Sequence, residues 1–130
     1  MESRGIRNNN PGNIRHSSIT WQGQSETQTD SAFVQFTEPK WGIRAIVRIM
    51  KSYAKKGLTT VQQIISRWAP SSENDTGAYV EAVSRAVDES PTDQLALETK
   101  MPALVRAIIV HENGSCPYGD DVIGEAISLA

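Results

Sequence analysis

The feature that most constrains the fold is an apolar stripe near the C-terminus. Its members recur at spacings of three and four residues, and they are Met101, Leu104, Val105, Ile108 and Ile109. This spacing predicts the buried face of an α-helix. Asn113 and Gly114 follow directly, and glycine is the usual residue just past a helix C-terminus. The sequence therefore predicts a central helix that ends near residue 113.

The next position of the stripe holds a carboxylic acid, Glu112. Partial burial disfavours the charged form of a carboxyl group, and so does the negative end of the helix dipole. A carboxyl group that stays neutral near pH 7 can act as a general acid. We predict this catalytic role for Glu112. The alternative is a side chain that turns to solvent or pairs with an arginine such as Arg106.

Composition sets limits on the domain and its partners. The 130 residues fit one domain, and 13 Lys and Arg against 15 Asp and Glu give no electrostatic case for binding nucleic acid. The one cysteine, Cys116, excludes an internal disulfide. His16 and His111 lie far apart and no glycine-rich phosphate loop is present, so we expect no metal and no cofactor. No apolar run approaches the roughly 20 residues of a membrane span, and we expect none.

The N-terminal 15 residues are rich in side-chain amides and turn formers. Asn9, Asn10 and Asn13 surround a Pro-Gly pair, which predicts a loop of specific turns rather than a regular element. Ile6 and Ile14 interrupt this polar segment. We therefore expect the loop to be anchored to the core and to line a cleft.

The predicted fold class is α+β, mostly α, with residues 1–130 in a single domain. Residues 19–23 and 32–36 are rich in β-branched and aromatic side chains and predict one β-hairpin, whose wide polar loop holds Glu26 and Asp30. Apolar stripes and capping signals predict further helices. These begin after Pro39, after a capping box of Thr59 and Gln62, near Ala78, after Pro91, and at a cap formed by Asp120 or Asp121.

Several segments carry a resemblance to lysozyme-like enzymes. ALVRAIIVHENGSCPY resembles the segment with the catalytic Glu of lytic transglycosylases and goose-type lysozymes. NNNPGNIR, with TWQGQ and FVQF, resembles the Asn-rich stretch and hairpin of bacterial glucosaminidases of that superfamily, and TGAYVEAV is similar to their later Tyr-bearing helix. Those families place the Glu helix before the Asn-rich loop. The resemblance therefore implies a circularly permuted lysozyme-like domain.

The whole chain also resembles small phage virion or prophage proteins, which pair GIRNNNPGNIR with a C-terminal ENG-x-x-PY. Such proteins are often described only as structural. This second resemblance implies a phage protein and leaves the reaction open.

The lysozyme-like resemblance implies cleavage of peptidoglycan glycan strands, of the lytic transglycosylase or muramidase type. Glu112 would protonate the glycosidic oxygen, and hydrolysis becomes possible if Glu26 or Asp30 reaches the site. Amide groups would bind N-acetyl substituents and aromatic rings would stack on sugars. The predicted substrate-binding residues are Asn9, Asn10, Asn13, Arg15, Trp21, Tyr79 and Tyr118.

Two alternatives remain open at this stage. A non-catalytic virion or effector component would use the same cleft to bind glycan or a partner protein. A cysteine-dependent amidase would pair Cys116 with His111.

The polar N-terminus predicts synthesis in the cytoplasm without a signal peptide. Action at the cell wall or periplasm would then require a carrier, such as a virion or a secretion component.

Overall fold

The computed structural model describes residues 2–130, and six α-helices form within them. They are α1 (Arg4–Arg7), α2 (Pro39–Lys55), α3 (Val61–Trp68), α4 (Thr76–Val87), α5 (Leu97–Asn113) and α6 (Asp120–Leu129). The predicted mostly helical architecture is confirmed. None of the helices between residues 2 and 130 combines the length and the apolar character that crossing a bilayer requires.

The core lies around α5, which contacts α1, α2, α4 and α6. All five members of its apolar stripe are buried: Met101, Leu104, Val105, Ile108 and Ile109. From the facing side α2 contributes Ile43, Ile46, Val47 and Met50, which are wholly buried. Removal of this apolar surface from water is the main favourable term in folding. The central helix predicted from the stripe is therefore confirmed.

Local capping chemistry sets the helix ends. Gly114 follows α5 with φ of 85°, and its N–H donates to the carbonyl of Val110 at 2.7 Å. Only glycine adopts this conformation without a steric penalty. The capping box lies one residue later than predicted, between Thr60 and Gln63. That register places Val61 at the buried start of α3.

The predicted β-hairpin is wrong in its pairing. Residues 19–23 form no strand, and Ile19 is 53% exposed. Residues 32–36 instead make isolated antiparallel bridges, between Arg15 and Phe33 and between Gln24 and Phe36. Side-chain amides bind much of the neighbouring backbone and replace a regular ladder. Asn10, for example, donates to the carbonyl of Val34 at 2.8 Å.

Two further helix starts differ from the prediction. The residues after Pro91 form a turn, and Gln94 bridges to Thr60, so the predicted short helix is absent from this part of the structure. The residue that precedes α6 is Gly119, and the helix cap predicted at Asp120 or Asp121 is therefore wrong. Asp120 and Asp121 lie in its first turn, where the helix dipole favours negative charge.

Candidate functional site

The N-terminal loop is held to its own backbone by the fully buried amide of Asn10. Its Nδ2 donates to the carbonyl oxygens of Ile14 and Val34, and its Oδ1 accepts from the Ile14 N–H. Of the two predicted anchors, Ile14 is buried in the core, whereas Ile6 is only partly buried, so the loop is anchored through Ile14. Asn13 has φ of 52°, a left-handed conformation that Asn tolerates better than most residues. The loop is thereby bent at Asn13.

Asn13 meets the last turn of α5 at Glu112. The Asn13 Nδ2 donates to Glu112 Oε1 at 3.1 Å, and the Tyr79 hydroxyl donates to Glu112 Oε2 at 2.8 Å. Arg106, the ion-pair partner considered for Glu112, instead contacts Asp120 at 2.6 Å. Glu112 therefore has two neutral hydrogen-bond donors, and among residues 2–130 no cation pairs with it.

Tyr79 supports Glu112 from the protein interior. Its ring is buried and stacks on His111, with ring centroids 3.7 Å apart. Its oxygen accepts a hydrogen bond from Trp68 Nε1 at 3.0 Å. Burial and the nearby Glu112 carboxylate raise the pKa of Tyr79 well above its usual range. The phenol therefore keeps its proton.

Glu112 lies in the wall of a cleft of about 400 Å³, a volume within the range of small-ligand sites. Polar and aromatic side chains share this cleft. Its lining consists of Gly12, Asn13, Ile14, Arg15, Phe33, Ile49, Tyr53, Trp68, Ala69, Glu73, Asn74 and Glu112. Tyr79 is not part of this lining, so it acts on Glu112 from behind the wall.

Arg15 is the cationic side chain of the cleft. It is exposed, and its guanidinium lies 5.1 Å from the centre of the Phe33 ring. The Arg4 guanidinium also lies over the Phe33 ring, 4.6 Å from its centre. Cation–π contact of this kind holds a guanidinium without neutralising its charge. Arg15 is therefore positioned to meet an anionic group in the cleft.

The structure does not bring the two predicted loop carboxylates to this cleft. Asp30 accepts hydrogen bonds from Arg4, from Asn8 and from two backbone N–H groups. Chiefly because of the Arg4 hydrogen bond, the pKa of Asp30 is held well below its usual range. Glu26 is exposed and lies outside the lining. Both carboxylates therefore stand apart from Glu112.

Sequence reasoning missed Glu73, the other carboxylate of the cleft. It lies in the turn between α3 and α4, three positions after Pro70. Nothing local distinguishes this turn Glu from an ordinary surface residue. Its significance depends on Asn13 and Glu112, which come from distant parts of the chain.

The remaining predicted residues are distributed elsewhere. The Asn9 amide donates to the Phe36 carbonyl at 3.0 Å. Trp21 and Tyr118 pack against the core outside the cleft, and burial raises the pKa of Tyr118 to about 12. Of the predicted binding residues, Asn13 and Arg15 line the cleft. Tyr79 does not line it and is connected to it by its hydrogen bond to Glu112.

The Cys–His pair of an amidase does not form among residues 2–130. The Cys116 thiol lies 3.6 Å from an Arg106 nitrogen and 3.7 Å from the Tyr118 carbonyl oxygen. His111 stacks on Tyr79 instead. The geometry that nucleophilic catalysis by a Cys–His pair requires is therefore missing.

These features define a small, mostly helical protein with a carboxylate in the wall of a polar and aromatic cleft. No protein-family model matches the chain. It is similar to Protein P5 of Pseudoalteromonas phage PM2, with 43% identity over 125 residues, which cover 93% of this chain and 78% of that protein. The chain belongs to the family of this phage protein. The predicted relation to phage proteins is confirmed.

Proposed function

We propose that the chain cleaves the glycan strands of peptidoglycan, with Glu112 as the general acid. The observation that carries the proposal is the position of Glu112 in the cleft wall, oriented by Asn13 and Tyr79 without a cationic partner. Most enzymes that cleave glycosidic bonds place a carboxylic acid beside the leaving oxygen. Fixed hydrogen bonds supply the orientation that such proton transfer needs.

The cleft lining supports a sugar as the ligand. Phe33, Tyr53 and Trp68 offer aromatic surface, which packs against the apolar faces of sugar rings. Asn13 and Asn74 offer side-chain amides, which suit N-acetyl and hydroxyl groups. Aromatic surface combined with a few placed polar groups is typical of a small-ligand site.

A contact between distant parts of the chain supports a circularly permuted lysozyme-like domain. The hydrogen bond between Asn13 and Glu112 joins residues 99 positions apart. It sets the N-terminal Asn-rich loop against the end of the C-terminal Glu helix. In the lysozyme-like families this loop follows the Glu helix in the chain. A circular permutation would let both chain orders place the Asn-rich loop beside the Glu residue.

The reaction follows from the carboxylates available in the cleft. Glu112 gives its proton to the leaving glycosidic oxygen as the bond to muramoyl C1 breaks. In transglycosylation the muramoyl 6-hydroxyl then attacks C1 and returns its proton to Glu112, which forms an anhydro end. In hydrolysis Glu73 would instead take the proton of an attacking water.

A second candidate is a non-catalytic virion component that binds glycan or a partner protein through the same cleft. It is favoured by the family relation to a phage protein whose name assigns no reaction. Association with a virion would also carry the chain to the cell wall. The two candidates differ in whether the proton of Glu112 is needed.

The test is mass spectrometry of purified peptidoglycan after incubation with the protein. Anhydromuramic ends indicate transglycosylation and reducing ends indicate hydrolysis. Binding without any product supports the second candidate. We expect Glu112→Gln to lower product release by at least about 100-fold, the usual contribution of acid–base catalysis, with little change in the denaturation midpoint.

The matched control is Glu26→Gln, which removes an exposed carboxylate outside the cleft. It should keep wild-type turnover. Retention of more than about a tenth of the activity by Glu112→Gln would refute the general-acid role.

A further inference from the structure

We infer that Trp68 is a positioning residue that determines which oxygen of Glu112 carries the catalytic proton. It does so by fixing the direction of the Tyr79 hydroxyl. The proton of Glu112 is thereby confined to Oε1, the oxygen beside Asn13. The catalytic meaning of this inference rests on the proposed function, whereas the hydrogen-bond arrangement itself does not.

The hydrogen bonds from Trp68 through Tyr79 to Glu112 run in one direction. An indole N–H can donate a hydrogen bond and cannot accept one. Trp68 Nε1 lies 3.0 Å from the Tyr79 oxygen, so this oxygen is the acceptor. The single proton of the phenol is then left for its other neighbour, Glu112 Oε2, at 2.8 Å.

Tyr79 keeps this proton throughout the working pH range. Its ring is buried, and its pKa is raised by that burial and by the negative charge of Glu112. Tyr79 therefore remains a hydrogen-bond donor to Glu112 throughout this range.

In the acid form of Glu112, one of the two carboxyl oxygens carries a proton. A proton on Oε2 would point at the proton of Tyr79, and two donors cannot share one hydrogen bond. The proton is therefore confined to Oε1. Asn13, the neighbour of Oε1, has a buried Oδ1 without a partner in the described part of the chain. A half-turn of the amide would present this acceptor to a protonated Oε1.

Other charged and titratable groups also face this site. The N-terminal loop contributes Arg15, α2 contributes Tyr53 and the turn before α4 contributes Glu73. His111 of α5 stacks on the Tyr79 ring. All four are unchanged in the variants below, so differences between variants report on Trp68 and Tyr79.

The experiment follows the Glu112 carboxyl carbon by ¹³C NMR as a function of pH, with its signal assigned by comparison with Glu112→Gln. In Trp68→Phe the Tyr79 oxygen becomes free to accept from a protonated Oε2. The acid form gains a second possible direction for this hydrogen bond, and the carboxylate loses the strengthening of the Tyr79 donor by the indole. We therefore expect the titration midpoint of Glu112 to rise by about 0.5–1 pH unit. The acidic limb of the activity profile should move in the same direction.

Tyr79→Phe removes the donor to the carboxylate and should also raise the midpoint. If Trp68 acts through Tyr79, adding Trp68→Phe to this variant should cause no further rise. Trp41→Phe is the matched control, because Trp41 lies outside the cleft lining. It should leave the midpoint unchanged.

The inference would be overturned if Trp68→Phe shifted the Glu112 titration midpoint equally in the wild type and in Tyr79→Phe. An unshifted midpoint in Trp68→Phe would also overturn it. If Trp68→Phe does not fold, the indole N–H resonance of Trp68 provides the measurement. It should move upfield in Tyr79→Phe, and an unchanged resonance would overturn the inference. Loss of activity in Glu112→Gln with no shift in Trp68→Phe would remove this inference alone. Full activity in Glu112→Gln would remove the proposed function alone.

Discussion

The Asn13 amide donates to the Glu112 carboxylate at 3.1 Å across 99 positions of the chain. The next residue of α5 is bound by the same N-terminal segment. Asn113 accepts from the Ser3 hydroxyl at 2.6 Å and donates to the Pro11 carbonyl at 2.7 Å. Two successive residues at the end of α5 are thus fixed by the N-terminal loop. The position of Glu112 therefore depends on the correct fold of that loop.

Replacement of Asn10 should destabilise the protein more than loss of an ordinary surface amide. Asn10 is 0% exposed and binds three backbone groups, on Ile14 and Val34. Asn10→Ala leaves these buried groups without their side-chain partner, so we expect the unfolding free energy to fall by roughly 2–4 kcal/mol. Chemical denaturation measures the change. Asn74→Ala, at an exposed turn residue, is the control, and equal midpoints for the two variants would contradict the prediction.

The contribution of Asp30 to stability should depend on pH. Its pKa is lowered in the folded state, so its stabilising effect is fully present above about pH 4, the usual pKa of an unfolded Asp. The effect is lost as the pH falls further toward the folded value. We expect Asp30→Asn to lower the melting temperature at pH 7, because the ion pair with Arg4 is lost.

The difference in melting temperature between Asp30→Asn and the wild type should then narrow steadily as the pH falls from about 4 to about 2. Melting curves across this range measure it. Glu26→Gln, at an exposed site, should show no comparable difference at any pH. A gap for Asp30→Asn that stays constant down to pH 2 would argue against the ion pair as its cause.

Glu73 should matter only for hydrolysis. A Gln at this position retains the shape of the cleft but cannot take a proton from water. We expect Glu73→Gln to lower the yield of reducing ends and to leave anhydro ends unchanged, as counted by mass spectrometry. An undiminished rate of reducing-end formation would show that Glu73 is not the base. If the wild type produces only anhydro ends, a loss of activity in Glu73→Gln would contradict the assignment.

Arg15 should favour anionic glycans over neutral ones. Its exposed guanidinium lies in the cleft over Phe33, where it can meet a carboxylate of a muropeptide. We expect Arg15→Ala to weaken muropeptide binding by about two- to fivefold, the range of an exposed ion pair, and to leave binding of neutral N-acetylglucosamine oligomers unchanged. Calorimetry with both ligands is the measurement.

The matched control for Arg15 is Arg7→Ala, an exposed arginine outside the cleft lining. It should bind both ligands as the wild type does. High salt should remove the preference of the wild type for muropeptides, because screening weakens exposed charge pairs. Equal weakening for both ligands in Arg15→Ala would indicate lost packing rather than lost charge.

The sequence alone determined the central helix and the place of Glu112 at its end. The apolar stripe, the Asn113-Gly114 stop and the Pro39 start are local signals. They require only the geometry of a helix and the conformational freedom of glycine. Element type and approximate boundaries could therefore be predicted for α2, α4 and α5.

Only the tertiary structure decided which side chains surround Glu112. Asn13 and Asn10 have the same side-chain chemistry and lie in the same loop. Asn13 binds Glu112 in the cleft, whereas the Asn10 amide binds backbone groups. Asp30 and Glu73 are both loop carboxylates, yet the first pairs with Arg4 and only the second lines the cleft. Local sequence cannot distinguish such residues, because their roles depend on contacts between segments far apart in the chain and on the backbone groups that each fold leaves to be satisfied.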